Sequence, residues 1–184
     1  MSFYDLPTSV DVSGISYEIR SDYRAVLDII TALNDIELTT MDKAMVALQI
    51  FYVEFEQIPQ EHYGDALQEC FKFIDLGKEL TDKKSPKLMD WEQDFQYIVA
   101  PINKASGQDI RHLPYMHWWT FMGYYYDIGE CTFSTIVSIR NKKAKGKKLE
   151  KYEKEYYRDN REIIDFKQNY SSMEEELLKN WGGG

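Results

Sequence analysis

Hydrophobic positions along the chain follow two different rhythms. From Val10 to Ile19 they alternate around Ser13-Gly14, with Val10 and Val12 before the pair and Ile15, Tyr17 and Ile19 after it. This pattern predicts a β-hairpin over about residues 9–20, because Gly takes positive φ without a Cβ clash. Ile15, Tyr17 and Ile19 share one face, which should be buried. A lone hairpin is marginal in water, so this one must pack on the rest of the chain or pair with another chain.

After Ser21 the spacing becomes helical. Tyr23, Val26, Leu27, Ile30 and Leu33 predict a first helix, with Ser21 or Asp22 as its cap. Thr39, with Asp42 three residues on, opens a second. Its stripe is Met41, Met45, Leu48, Tyr52 and Phe55, and Pro59 ends it. A third helix places Leu67, Cys70, Phe71 and Ile74 on one side, with Gly77 near its C-terminus. Residues 78–87 are polar and read as an exposed loop. Asp90 caps a fourth helix built on Phe95, Ile98, Val99 and Ile102, which Pro101 should kink or end and Ser106-Gly107 closes. Pro114 suits the first turn of a fifth helix over 114–128. That segment is apolar almost all round, so it belongs at the centre of the bundle. Phe133, Ile136, Val137 and Ile139 mark a short helix. Leu149, Tyr152, Tyr156 and Ile163 mark a last long one over 147–165, and a short helix over 172–180 precedes a glycine tail.

The fold expected from this pattern is mainly α: a single-domain helical bundle of about six to eight helices with a short N-terminal β-hairpin. The hairpin occupies about 9–20, the helical body about 21–168, and a flexible or weakly helical tail 169–184. The 184 residues suit one domain of this kind.

Charge narrows the function. A net charge of -9 argues against general nucleic-acid binding, where neutralised phosphates supply most of the affinity. The first eleven residues contain Asp5, Pro7 and Asp11 and no basic run, so no secretory leader is expected. The longest apolar stretch, 115–128, contains His117 and Asp127 and falls short of the ~20 residues that span a bilayer. Cys70 and Cys131 both stand in apolar surroundings and read as buried thiols in a reducing compartment.

Catalytic chemistry finds little support. His112 and His117 are five apart with Pro114 between them, which does not put two rings on one helix face, and the cysteines are isolated. No metal or cofactor is expected. Cys131 with His117 is the least poor nucleophile–base pair, and a structural Cys is the stronger reading.

Two strings stand out. His117-Trp118-Trp119 reads either as an aromatic recognition surface or as a packing centre whose indole N–H groups are satisfied by carbonyls, and the second reading is favoured. The other is basic. Residues 140–158 hold nine Lys or Arg and three Glu, net +6, which leaves -15 on the remainder. Lys142, Lys143, Lys145, Lys147 and Lys148 surround Gly146. They read as an RNA or phosphate contact, a dock for an acidic partner or a second copy of this chain, or a solvated helix end.

Several strings together resemble a Gram-positive siphophage family named after gene product fifteen. They are Asp22-Tyr23-Arg24 at a helix start, Asp94 to Ile98 as Asp-x-x-Tyr-Ile, and His117-Trp118-Trp119 with Phe121 two residues on. Ile136 to Arg140 follows as Ile-x-x-x-Arg, then a basic stretch leading to a Lys/Glu/Tyr-rich helix. They occur in the family's order between about Val10 and Phe166. Pro101 and Pro114 depart from its smooth helices, and residues 171–184 lie outside the match. The resemblance implies a tail assembly chaperone or minor structural virion protein encoded near the tape measure gene. It brings no catalytic residues. The expectation is a non-enzymatic protein of the host cytoplasm that coats the phage tape measure protein or another tail protein. Its contact residues would be Trp118, Trp119, Lys142, Lys143, Lys145, Lys147 and Lys148. The alternative is a structural virion protein or protein-interaction module.

Overall fold

Ser13 and Gly14 both take positive φ, 52° and 84°, as a two-residue hairpin turn requires. They join β1 (Ser9–Val12) to β2 (Ile15–Glu18) in a computed structural model that describes residues 4–78 and 86–167. The strands are antiparallel, with Val12 opposite Ile15 and Val10 opposite Tyr17. Val12, Tyr17 and Ile19 are buried, whereas Ile15 beside the turn is 48% exposed. The buried face of β2 therefore begins at Tyr17, one residue pair in from the turn.

α1 (Tyr23–Asn34) is capped by Asp22, whose carboxylate accepts from Arg24 N at 2.9 Å. α2 (Thr40–Phe51) carries the expected capping box between Thr39 and Asp42. It does not run on to Pro59. The chain leaving β2 stops it, because Arg20 N donates to Phe51 O at 2.7 Å and Val53 N donates to Glu18 O at 3.1 Å. The Arg20 guanidinium then donates to the carbonyls of Gln49, Ile50, Tyr52 and Val53. These are acceptors that a helix end leaves unmet. Phe55 opens a separate 3-10 turn, Phe55–Gln57. Met41, expected on the buried stripe, is 71% exposed in the first turn, at the loop end of the α1–α2 pair.

α3 (Tyr63–Ile74) buries Ala66, Cys70 and Phe73. α4 (Trp91–Ser106) is capped by Asp90 and runs unbroken through Pro101. The proline forfeits one ladder bond, but buried Ile98, Val99 and Ile102 on either side hold the helix by packing. α5 (Trp118–Tyr126) starts four residues later than Pro114 suggested. Residues 116–118 are instead held extended against 21–23, with Trp118 N on Ser21 O at 2.7 Å and Tyr23 N on Met116 O at 2.9 Å. α6 (Thr132–Ala144) follows.

The long final helix is broken in two, α7 (Lys151–Asp159) and α8 (Arg161–Ile164). Asn160 makes the break with φ -127°, its backbone N–H and side-chain amide both donating to Tyr156 O. Tyr152, placed on the buried stripe from sequence, is 66% exposed. The expected helix over 172–180 and the tail from 169 lie outside the described residues, as does most of the loop after Lys78.

The hairpin and α1 to α5 enclose one apolar cluster centred on Phe51, Tyr52, Trp118 and Phe121. Ile136, Ile139 and Ile164 form a second, smaller cluster between α6 and α8. A buried ion pair, Asp94 of α4 with Arg140 of α6, connects α6 and α8 to α4 at 2.5 and 3.0 Å, both side chains almost fully enclosed. Removing one partner leaves an uncompensated buried charge, which costs about 3–5 kcal/mol. Arg140→Met is expected to lower the melting temperature by roughly 10 °C, at about 2–4 °C per kcal/mol for a chain of this size. Asp94→Leu combined with Arg140→Met should recover only part of that loss in the same calorimetric scan, because the carbonyls of Leu88, Ile163 and Ile164 and the Asp90 N–H lose their partners.

Candidate interaction surface

The paired tryptophans work inside the fold. The indole N–H of Trp118 donates to Ile74 O and that of Trp119 to Phe73 O, both at 2.9 Å. These are successive carbonyls in the last turn of α3; Phe73 O also accepts from Leu76 N at 3.1 Å, so the indoles add to the closure of that helix end. Trp118 is 2% exposed and packs against Phe121 and Trp91. Trp119 is half-buried and stacks on Phe73. Its ring lies 3.4 Å from where a Cβ on Gly77 would stand, an ordinary contact distance, so that position favours glycine for its φ of 77° and not for space. The packing reading of this string describes both residues, and Trp118 offers no surface to a partner.

His117 completes the arrangement. Its Nδ1 accepts from Trp119 N at 3.0 Å, capping α5, and its Nε2 is 2.9 Å from Pro7 O. A carbonyl only accepts, so the ring proton sits on Nε2 and Nδ1 is bare. Burial pushes the His117 pKa below its ordinary 6.5, opposed in part by the Pro7 contact. Both ring nitrogens are occupied, so His117 cannot act as a base for Cys131. The Cys131 thiol is only half-buried and lies at the α6 N-terminus, where its sulfur accepts from Ser134 N. Cys70 is fully buried, with its thiol pushed up to about 12.

Asp22-Tyr23-Arg24 is also a fastener. Asp22 accepts from Met116 N at 2.9 Å as well as capping α1. Tyr23 stacks flat on Phe121 at 4.7 Å. Arg24 donates to the carbonyls of Ile110, Arg111 and Leu113.

The basic run divides into two parts. Lys142 is bound to Glu153 at 2.7 Å, and this contact holds the Glu153 carboxyl below its usual range. Lys143 meets Asp165 and the Tyr157 hydroxyl. Gly146, at φ 62°, closes α6 with Gly146 N on Lys143 O and Lys147 N on Lys142 O, a Schellman arrangement. Lys145, Lys147 and Lys148 are exposed and make no ion pair among the described residues.

An open groove of about 820 Å³ lies where β2, α1, the end of α2 and Tyr115 meet. Ala25, Ile50, Val53 and Tyr115 supply its apolar surface, and Glu18 and Asp28 stand at its sides. Val53 is 37% and Tyr115 50% exposed. Sequence periodicity passed over this groove, because it exists only once α2 stops at Phe51 and Arg20 folds over its end. The one available signal was Val46, Ile50 and Val53 at helical spacing outside the main stripe.

Among the described residues, no group of three His, Cys, Asp or Glu is placed to hold a metal ion, and no helix is long and apolar enough to cross a membrane. Compared with known proteins, residues 3–166 match the family model described as Bacteriophage Gp15 protein. No curated protein and no solved structure matches the chain.

The His117 geometry sets a pH dependence. Its folded pKa lies below the unfolded value, so its stabilising contribution is complete above the ordinary 6.5 and is lost as pH falls through the folded value. The urea midpoint of the native protein should therefore fall between about pH 7 and 5, above the range where carboxylates titrate. His117→Asn, which keeps a capping side chain, should flatten that slope; an unchanged slope would show that His117 does not set it.

Proposed function

This chain belongs to the bacteriophage Gp15 protein family, and on that premise we propose that it is a tail assembly chaperone. In this reading it binds the tape measure protein in the host cytoplasm, without catalysis, before the tail tube closes around it. The family match over residues 3–166 is the observation that carries the reading.

The physical demand is clear. A long helical protein with exposed apolar seams aggregates unless something covers them. Helices are covered by grooves that take apolar anchors at helical spacing. The groove at Ile50, Val53 and Tyr115 supplies such a floor, and Glu18 and Asp28 beside it favour a segment flanked by basic residues. The net charge of -9 keeps neighbouring loaded copies from coalescing. Many weak contacts summed along one extended client give avidity without a large interface. In this reading the client contacts the groove, which is open, and Trp118, which is enclosed, serves the fold.

Co-expression with the tape measure protein encoded by the same phage should yield a soluble complex that co-purifies. Val53→Glu should weaken that complex about tenfold, roughly 1.4 kcal/mol, while leaving the circular dichroism melt unchanged. An equally insoluble tape measure protein with no complex overturns the chaperone reading. Detection of the chain in purified virions by mass spectrometry favours the structural alternative.

A further inference from the structure

Charge on this chain is segregated. Residues 44–71 hold Glu54, Glu56, Glu61, Asp65 and Glu69 and no Lys or Arg, whereas residues 142–148 hold five Lys and no Asp or Glu. In the second stretch Lys142 and Lys143 are consumed by Glu153 and Asp165. Lys145, Lys147 and Lys148 are exposed and have no ion pair among the described residues. The two hydrogen bonds that close α6 around Gly146 hold the turn that carries them. Three positive charges are therefore presented at a set place.

The acidic stretch is gathered as firmly. Phe55 packs on Tyr63 with ring centroids 5.2 Å apart, which sets the turn carrying Glu54 and Glu56 beside the start of α3, where Glu61 and Asp65 stand. Ser13 at the hairpin tip donates to Asp65 at 2.7 Å. Glu54, Glu56, Glu61 and Asp65 are all exposed, and none has an ion pair among the described residues. This face rests on the first apolar cluster, through Phe55 and Ala66, whereas the lysine turn follows the end of α6 that carries the second. Two opposite charges thus stand on separate parts of one molecule, and no ion pair among the described residues joins them.

We propose that the lysine turn of one copy docks on the acidic face of the next, with Lys145, Lys147 and Lys148 against Glu54, Glu56, Glu61 and Asp65. The two surfaces differ, so each copy in a pair keeps one of them free and the contact propagates head to tail. The net charge of -9 opposes other orientations, in which like charges meet. At physiological ionic strength fields fade over about 8 Å, so the general repulsion weakens while touching pairs persist. Exposed ion pairs are individually weak. Free copies therefore associate only at about millimolar concentration, which copies held side by side on one extended molecule reach locally. This contact needs no particular client, and purified protein alone tests it.

Carbodiimide joins a carboxylate to an amine that touches it. In a mixture of unlabelled and nitrogen-15-labelled full chain, mass spectrometry should find Lys145, Lys147 or Lys148 joined to Glu54, Glu56, Glu61 or Asp65 of the differently labelled copy. The yield should fall several-fold at about 1 M salt, where charges are screened beyond roughly 3 Å. Sedimentation velocity gives a second reading. K145E/K147E/K148E and E54K/E56K/E61K should each stay monomeric at concentrations where the unaltered protein associates. An equimolar mixture of the two should associate again, because the reversed charges match across the contact. Links confined to single molecules, an unaltered protein that stays monomeric at about millimolar concentration, or a mixture that fails to associate overturns the proposal. So does a mobility shift of single-stranded RNA that K145E/K147E/K148E abolishes while no links form between copies, which gives the lysines to nucleic acid.

Discussion

A guanidinium and a carboxylate buried together impose a strict condition on everything around them: each remaining donor and acceptor must find a partner inside the fold. Arg140 has five N–H donors. They go to both oxygens of Asp94 and to the carbonyls of Leu88, Ile163 and Ile164. Asp94 in turn accepts from the backbone N–H of Asp90, the α4 cap. Phe166 lies over the guanidinium at 4.2 Å. One side chain thereby determines how the segment before α4, α6 and the end of α8 meet. The apolar cluster between α6 and α8 holds only three fully buried isoleucines. Tyr97, Leu149, Tyr156, Tyr157 and Ile163 pack around them; apolar packing is non-directional, and the bonds of Arg140 add the direction it lacks.

The same device recurs at two other places. Arg20 closes the end of α2 through four carbonyls. Arg24 closes the 3-10 turn at Ile110–His112 through three. Each helix end exposes acceptors that the helix cannot satisfy, and a chain of many short helices has many such ends. Arginine suits them because its planar fork reaches several carbonyls at once and its charge complements the negative end of the dipole. Trp118 and Trp119 do equivalent work at the end of α3 with neutral donors. The fold is thus a set of short helices whose ends are tied by side chains from elsewhere in the sequence.

That construction decides what could be read from the sequence. Features set by neighbouring residues were legible: the Ser13-Gly14 turn, the Asp22 and Asp90 caps, the Thr39–Asp42 box, and the mainly helical class. Features set by distant partners were not. α2 ends at Phe51 because β2 and Arg20 act on it from thirty residues away in sequence. α5 begins at Trp118 because residues 116–118 pair with 21–23, which overrides the helix-start signal of Pro114. Pro101 is a helix breaker by local chemistry, but packing on both sides carries α4 through it. In the candidate site, the packing role of the two indoles was legible from their chemistry, while the groove at Val53 was not, since it is made by elements far apart in sequence. The lysine run looked uniform along the chain, and only the fold separates Lys142 and Lys143, which are paired, from the three that are not.

The strings that carry the family resemblance have a common physical character. Asp94 and Arg140, 46 residues apart, are the two halves of one buried pair. Asp22, Tyr23 and Arg24 fasten the segment before α5, and His117, Trp118 and Trp119 fasten that segment to Pro7 and α3. A pattern built from such residues reports on the fold, because changing any of them leaves a buried donor or acceptor unmet. It reports nothing directly about the surface a partner touches. Contact residues have to be sought where a side chain has no structural task, such as the exposed face of Val53 or Lys145, Lys147 and Lys148. A substitution there can alter binding while leaving the melting curve in place, whereas a substitution in the signature strings alters both together. That separation is what allows a binding surface to be assigned by mutation in a protein whose most distinctive residues are tied up in holding the fold together.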